Sequence, residues 1–238
     1  MYKRQSLQLP KGFNKEKTAG ILCLEMFDPE YIEMLDTLGI PLLFIDTAAD
    51  TDMTQIRADF LLMENHLSVY NLTDTLIQNG YRNLAFAGEP GHCRSFNERY
   101  QGFMHALSDN MLTPAASQFT GRTVFDSPQD LEEAISRTMQ LPDVFVCAND
   151  FVAIDLIHAL KKRGIRIPED VLVTGFDNST ESRIIDPHLT TVDIPSSKMG
   201  YIAADMLLSR IKEPDTPYRI MHVRTTLKFR ESTGELKL

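Results

Sequence analysis

The sequence predicts an α/β protein in which parallel sheets are covered by helices. Between Val144 and Ser179, two short apolar runs flank an amphipathic segment, which is the pattern of a parallel βαβ unit. Apolar runs alternate with helix-period segments along most of the 238 residues. Strands joined by helical crossovers form a parallel sheet that is covered on both faces. The chain is long enough for one large domain or for two smaller lobes.

The strands are predicted from short apolar runs that end in polar or turn residues. The clearest are AGILCLE, PLLFID and VLVTGF, and the weakest pattern is that of residues 119–125. The final run alternates polar and apolar residues and predicts one terminal strand. The predicted strands cover 19–25, 41–46, 60–63, 84–87, 119–125, 144–148, 171–176, 190–193 and 220–229.

The helices are predicted from apolar residues at a spacing of three and four, together with capping residues. Asp28-Pro29 supplies an N-cap and a first-turn proline, and Gly39 ends that helix. Ser127-Pro128 and Ser196-Ser197 are predicted to cap two later helices. The apolar spacings predict helices ending near 38, 77, 110, 139, 163 and 211.

Composition excludes several classes of partner. The net charge is −9, so the chain has no general electrostatic reason to bind nucleic acid or an anionic membrane surface. The sequence has no apolar run near 18 residues and no secretory signal pattern, which favours a cytoplasmic location. The three cysteines lack zinc-ligand spacing, and two of them lie in apolar runs typical of a core. Residues 1–17 carry five basic residues against one acidic residue, and we interpret them as a disordered or artificial tail rather than an arm that contacts DNA.

Polar residues follow two of the predicted strands where each strand ends. Asn149 follows the strand ending at Ala148, and Asp177 follows VLVTGF. In open parallel sheets, ligands bind at the carboxyl ends of the strands. The sequence therefore predicts a pocket rim at this edge.

An ordered set of segments resembles the effector-binding core of the lactose-repressor (LacI/GalR) family of bacterial transcription regulators. Ala-Asn-Asp followed by Ile-Pro-Glu-Asp-Val and Gly-Phe-Asp is the most specific part of this set. The resemblance covers about residues 18 to 234. The segments are GIPLLFID, LIQNGYRNLAFAG, RYQGF, CANDFVAIDLIHAL, GIRIPEDVLVTGFDNS, DPHLTTVDIPSSKMGYIAADML and RTTLKFRESTG.

The resemblance implies a periplasmic-binding-protein-like fold of two lobes with a ligand between them. It implies an N-terminal lobe from 18–63 and 195–218, and a C-terminal lobe from 64–194 and 219–238. Members of the family begin with a helix-turn-helix and a hinge, and this chain lacks both, together with the start of the first lobe. We therefore expect a fragment of a repressor, with an incomplete N-terminal lobe and an unpaired strand edge.

The resemblance also implies ligand-binding residues. Arg99, with Gly102 after it, matches the family's ligand arginine, and Asp177 matches its ligand aspartate. Asn149 and Asp46 match further rim positions. Arg99 has a surface arginine as its structural alternative, and Asp177 has a cap of the next helix. Asp150 is predicted to be the N-cap of its helix.

Three more residues are weaker candidates for the pocket. Ser95 lies one turn before Arg99, with a helix N-cap as its alternative. Phe125 offers a ring for stacking on a sugar, with a core position as its alternative. Asp193 lies in the link between the lobes and is a pocket or a hinge residue.

We therefore predict the effector-sensing and dimerising core of a bacterial transcriptional repressor, with a sugar-like effector. Operator DNA would be bound only through the missing N-terminal domain. The alternative is a periplasmic sugar receptor of a transporter. No histidine pair has metal-ligand spacing, and no nucleophile–base motif is present, so we predict no metal, no cofactor and no catalysis. The sequence leaves open a sugar, a nucleobase or a phosphoprotein as the effector.

Overall fold

The computed structural model of the chain describes residues 7–121 and 123–236. The chain folds into two units. The first unit is built from the segment up to Glu64, from His92–Ser95 and from Pro195–Arg224. The second is built from Asn65–Gly91, Phe96–Ile194 and the segment from Thr225 onward.

The first unit is a parallel sheet with helices packed against it. Its elements are β1 (Ile21–Met26), α1 (Pro29–Asp36), β2 (Leu42–Thr47), β3 (Asp59–Met63), α6 (Ser196–Lys212) and β8 (Ile220–Val223). The four strands lie in the order β1-β2-β3-β8. Asp28 caps α1 as predicted, because its side chain accepts from the Tyr31 amide, with Pro29 at the first helical position.

The sheet of the first unit carries apolar residues on both faces. Phe44 and Phe60 stack at 5.3 Å in a cluster that also holds Ile32 of α1. The alternating residues Leu43 and Leu61 are also fully buried and face the opposite side, where α6 packs against β1, β2 and β3. This two-sided burial is why the strands are continuous apolar runs rather than alternating ones.

A buried ionic network ties α6 and β8 to β3. Asp59 is fully buried and accepts from Arg210 at 3.0 and 3.2 Å and from the Arg219 side chain at 3.1 Å. Burial opposes ionisation of Asp59, but the hydrogen bonds from both arginines hold its pKa below the usual value. Arg210 also donates to the carbonyls of Pro214 and Pro217, so it fixes the turn that leads into β8.

The second unit contains a parallel sheet with helices between its strands. The elements are α2 (His66–Gln78), β4 (Leu84–Ala87), α3 (Arg94–Asp109, of which Phe96 onward belongs to this unit), α4 (Pro128–Arg137), β5 (Val144–Cys147), α5 (Asp150–Lys162), β6 (Leu172–Thr174), β7 (Thr191–Asp193) and β9 (Thr226–Lys228). The sheet order is β4-β5-β6. Single parallel bridges from Thr174 to Thr190 and from Asp177 to Asp193 continue the sheet to β7, which pairs antiparallel with β9.

These elements confirm the predicted α/β class, and the βαβ unit β5-α5-β6 is where the sequence places it. Two predicted strands are wrong. Residues 119–125 contain no strand among the described positions. Ser117–Thr120 is a 3-10 helix that buries Phe119 against Phe145 at 4.9 Å.

The predicted terminal strand 220–229 is also wrong, because it is two strands in different sheets. β8 pairs with β3 in the first unit, and β9 pairs with β7 in the second. The observed division therefore differs from the predicted one at residues 64, 92–95 and 219–224, which belong to the first unit. Ser196 and Ser197 lie in the first turn of α6, and Pro195, which has no side-chain bond to the helix, is at the cap position.

The basic segment 1–17, for which the sequence predicts a tail, is described in part. Residues 1–6 lie outside the described positions. Leu9 packs against the apolar cluster of the first unit, and the carbonyl of Gln8 accepts from the Tyr31 hydroxyl at 3.4 Å. The described part of this segment is therefore attached to the fold.

Candidate functional site

The polar candidate residues of the second unit converge at the carboxyl ends of its strands. Arg99 lies in α3, Asn149 follows β5, and Asp177 and Asp193 follow β6 and end β7. The other two polar candidates, Asp46 and Ser95, belong to the first unit.

Arg99 is almost fully buried, with 2% of its surface exposed, and its guanidinium contacts an amide, a carbonyl and an aromatic ring. Its Nε donates to Oδ1 of Asn65 at 2.9 Å, and its Nη1 donates to the carbonyl of Ala148 at 2.7 Å. The ring of Phe176 lies under the guanidinium at 3.6 Å. The structural alternative of a surface arginine therefore does not describe this residue.

Asp177 is the acidic partner of Arg99. Its Oδ1 lies 3.6 Å from Nη2 of Arg99, beyond hydrogen-bond distance, and its side chain is 31% exposed. Its backbone has a positive φ of 117°, and its amide donates to the carbonyl of Val192 at 2.9 Å. The left-handed backbone is costly for a non-glycine residue and is typical of functional sites. The pair therefore presents a fixed donor beside a partly exposed acceptor.

Asn149 is the N-cap of α5, and the prediction that Asp150 is the cap is wrong. The Oδ1 of Asn149 accepts from the amide of Val152 at 2.9 Å. The Nδ2 of Asn149 makes no hydrogen bond with the residues that the structure describes. This amide is the group of Asn149 that remains for a ligand.

Asp150 instead joins the two motifs at the centre of the site. It is fully buried, accepts from the Thr191 hydroxyl at 2.6 Å and from the Ser179 amide at 2.7 Å, and burial raises its pKa. A Cβ on Gly175 would lie 2.3 Å from Oδ1 of Asp150, so only glycine fits there. The Asp150 amide donates to the Phe176 carbonyl at 2.8 Å. Ala-Asn-Asp and Gly-Phe-Asp are therefore one interlocked structure.

Asp193 lies beside Asp177 across a parallel bridge. Its carboxylate accepts from the Asn178 side chain, and the Asn178 Oδ1 accepts from Arg230 and Arg183. Burial is the largest cause of the lowered pKa of Arg230. This network holds Asp193 in place.

In the first unit, Asp46 and Ser95 are brought together, but they bind each other. Asp46 is 6% exposed, and its Oδ2 accepts from the Ser95 hydroxyl at 2.6 Å. Its Oδ1 accepts from the amides of Ser95 and Thr47 at 3.2 and 2.8 Å. The Asp46 side chain therefore accepts a hydrogen bond from a backbone amide in the first turn of α3, where amides lack partners within the helix. The backbone of Asp46 has a positive φ of 59°.

Phe125 packs against the apolar core cluster of the second unit. It also lines a cavity of about 160 Å³ with Pro128, Leu131 and Asp155. This position matches the structural alternative for Phe125.

Two members of the site were not predicted from the sequence. Asn65 is 3% exposed and binds Arg99, and Phe176 is fully buried beneath the guanidinium. The sequence could have indicated Asn65, because it is a polar residue that follows an apolar strand. It could not have indicated Phe176, because a buried phenylalanine is ordinary in a core. Among the described residues, no group of three or more metal-ligating side chains is present.

The fold and these motifs match known proteins. Residues 73–233 match the family described as periplasmic binding protein-like domain. This chain belongs to that family.

The relatives are repressors of the LacI/GalR kind. The chain is 30% identical over 86% of its length to the HTH-type transcriptional repressor PurR of Actinobacillus pleuropneumoniae serotype 3 (strain JL03). It is 28% identical over 84% of its length to the ribose operon repressor of Haemophilus influenzae (strain ATCC 51907 / DSM 11121 / KW20 / Rd). It spans 60% and 59% of those two proteins.

A solved structure with the same fold is a transcriptional regulator CelR–cellobiose complex. The TM-score is 0.77 at 26% identity, over 91% of this chain and 66% of that one. The predicted LacI/GalR effector-core resemblance and the periplasmic-binding-protein-like fold are confirmed. The relatives are regulators rather than enzymes. No helix in the described part of the chain is both long and apolar enough to cross a membrane.

Proposed function

We propose that this chain is the effector-sensing core of a bacterial transcriptional repressor and that it binds a neutral, hydroxyl-rich small molecule. The observation that carries the proposal is the Arg99–Asp177 pair at the carboxyl edge of the second unit's sheet. A ligand hydroxyl can donate to Asp177 while its oxygen accepts from Arg99. Because the two side chains carry opposite charges, they compensate each other, and a neutral ligand adds no charge that needs a further partner. A sugar has this chemistry.

The same pair argues against an anionic ligand as the principal effector. A phosphate or carboxylate binds arginine well, but it would also meet the Asp177 carboxylate 3.6 Å from Nη2 of Arg99. Like charges at such a distance repel. Asp193, beside Asp177, adds a second carboxylate to the same edge.

The regulatory output is part of the proposal. The relatives named as repressors are longer than this chain, so DNA binding is proposed for the whole protein, through a helix-turn-helix of the kind for which the HTH-type repressor PurR is named. We propose that the protein acts as a homodimer in the cytoplasm and that effector binding changes the affinity for operator DNA. A periplasmic sugar receptor is the alternative, but both of these relatives are repressors.

The proposal is tested by thermal unfolding of the chain with D-ribose, cellobiose, D-glucose and adenine. At a hundredfold excess over Kd, a ligand that binds only the folded state stabilises it by about 2.7 kcal/mol. For a chain of this length, that raises the midpoint by roughly 5–10 °C. Arg99→Ala and Asp177→Ala should each abolish the shift.

Arg137→Ala is the matched control, because Arg137 forms an exposed ion pair with Glu133 within one helix. This variant should keep the full shift. A shift that survives both Arg99→Ala and Asp177→Ala would refute the assignment of the site. A shift with adenine alone would refute the sugar class.

A further inference from the structure

We propose that the outer edge of β1 pairs antiparallel with the same strand of a second copy of this chain. The pairing joins the first-unit sheets of the two copies into one continuous sheet. The inference goes beyond the proposed function, because it concerns the first unit alone and is tested without an effector.

Strand β1 lies at one end of the first unit's sheet, so the backbone groups of its outer edge are available for pairing. Its inner edge pairs with β2, where the Ile21 amide donates to the Pro41 carbonyl at 2.8 Å. Among the residues that the structure describes, no strand pairs with the outer edge. Backbone N–H and C=O groups alternate in direction along a strand. The backbone groups of Ile21 and Cys23 are therefore directed toward β2, whereas those of Leu22 and Leu24 are directed outward.

The same outer edge carries exposed apolar side chains. Leu22 and Leu24 project to one face of the sheet, and they are 43% and 61% exposed. Edge strands that stay unpaired commonly carry lysine, proline or a bulge that blocks pairing. Residues 21–24 include neither lysine nor proline, and they keep a continuous register with β2. This segment is therefore suited to adding a further strand.

The single charged residue of β1 lies beyond this regular segment. Glu25 has a positive φ of 50°, and the register with β2 passes from Leu24 directly to Met26. In an antiparallel pair of β1 strands, the Glu25 residues of the two copies lie at opposite ends of the ladder. The two carboxylates therefore do not face each other, which would be destabilising.

A second copy of β1 complements the edge in one particular register. When the two-fold axis passes between the Cys23 residues, Leu22 of each copy lies opposite Leu24 of the other. Each such pair exchanges its backbone hydrogen bonds, because both residues direct their N–H and C=O groups outward. The leucine side chains of both copies then lie on one face of the joined sheet and cover each other.

Neighbouring registers lose part of this match. A shift by one residue puts an outward-directed leucine opposite Cys23, whose backbone groups already face β2. A shift by two residues puts Leu24 opposite Gly20, or Cys23 opposite Glu25. The favoured arrangement is also isologous, so the dimer closes on itself. A second copy therefore matches the edge in hydrogen bonds, apolar side chains and charge.

The size of the contact sets the strength of pairing that we expect. A standard interface buries about 800 Å² on each partner, and one short strand edge offers less than this. Main-chain hydrogen bonds supply most of the affinity when a strand is added to a sheet edge. The chain should therefore dimerise weakly, in an equilibrium that depends on concentration.

The test is sedimentation velocity of the whole chain over a dilution series, under reducing conditions because the three cysteines are free thiols. The wild type should pass from monomer to dimer as the concentration rises. Leu22→Glu and Leu24→Lys should each raise the Kd of the dimer at least about 10-fold, because each change occurs twice in a two-fold dimer. An equimolar mixture of the two variants should recover most of the loss, because glutamate then lies opposite lysine across the ladder.

Met111→Glu is the matched control, because Met111 is 94% exposed and belongs to the second unit. It should keep the Kd of the wild type. Both edge leucines are exposed, so their variants should unfold within the range of ordinary surface substitutions. If Leu24→Lys does not fold, Leu24→Thr replaces it in the dilution series, since threonine favours strands.

The outcomes decide the proposal directly. A wild type that stays monomeric at every concentration overturns it. A dimer whose Kd is unchanged in both edge variants uses another surface and also overturns it. A mixture that recovers nothing refutes the register, and oligomers larger than a dimer refute the two-fold pairing. The thermal shift with sugars tests the proposed effector binding separately, because it involves Arg99 and Asp177 of the second unit.

Discussion

Gly102→Ala tests whether the close approach of α3 to the start of α2 is a packing constraint. The added Cβ would lie 2.3 Å from the carbonyl oxygen of His66 and 3.2 Å from its Cα. Ordinary carbon–oxygen contacts are about 3.3 Å, so the helices must separate locally by about 1 Å. Overpacking of this kind costs roughly 1–3 kcal/mol.

Gly200→Ala is the matched control, because Gly200 lies inside α6 and a Cβ added there would meet nothing within 4 Å. Alanine is better than glycine inside a helix by about 1 kcal/mol, and both variants gain this term. Gly200→Ala should therefore stabilise the chain by up to about 1 kcal/mol. The free energy of unfolding of Gly102→Ala should lie about 1–3 kcal/mol below that of Gly200→Ala. This difference is the overpacking cost alone.

The assay is urea unfolding followed by far-UV circular dichroism, because the chain has no tryptophan for fluorescence. The difference between the two variants is read from the midpoints at equal slope. A difference under about 0.5 kcal/mol would refute the packing argument, since that is the scatter of ordinary surface substitutions.

Two further predictions concern carboxylates. Asp59→Asn should destabilise the chain by about 3–5 kcal/mol, because it leaves the buried Arg210 without its counter-charge. Because the pKa of Asp59 is lowered in the folded state, its contribution to the free energy of unfolding is fully present above pH 3.8. That contribution is lost as the pH falls through the pKa of the folded state. Acid unfolding should therefore have a smaller dependence on pH in Asp59→Asn, and an identical dependence would contradict this. The carboxyl of Asp170, bound by Arg166, should titrate near pH 2, and that of buried Asp150 above 3.8. The folded protein binds more protons than the unfolded chain between 3.8 and the raised pKa of Asp150, so this group's contribution falls as the pH rises there. Carbon-13 NMR of the carboxyls gives both values, and the reverse order would contradict the burial of Asp150.

The parts of the fold that could be predicted from sequence have strong local signals. Runs such as VLVTGF have a strand pattern, and Asp28 with Pro29 marks a helix start. The prediction of one strand over residues 220–229 was wrong, because the alternating pattern continues through Arg224 although the chain passes there from one unit to the other. Pattern alone cannot show which sheet a strand joins, since pairing depends on distant residues.

Asn149 and Asp177 were predicted at the pocket rim because each follows a predicted strand, whereas Arg99 was named only from the family resemblance. The structure brings Arg99 and Asp177 together, with Asn149 beside them in the interlocked motifs. The roles of Asp46 and Ser95 were beyond prediction, because their mutual hydrogen bonds join residues 49 positions apart. Asn65 was missed for the same reason, since its importance comes from a contact with Arg99, 34 positions away.

The way the chain alternates between the units has a consequence for its synthesis. The strands β1 to β3 are made first, but α6, which packs against them, follows the second unit's main segments, about 130 residues later. At ribosomal rates of roughly 5–20 residues per second, this gap lasts about 6–26 seconds. During that time Leu43 and Leu61 have no helix over their face. The nascent first unit therefore exposes this apolar face, which is open to non-native association, until α6 emerges.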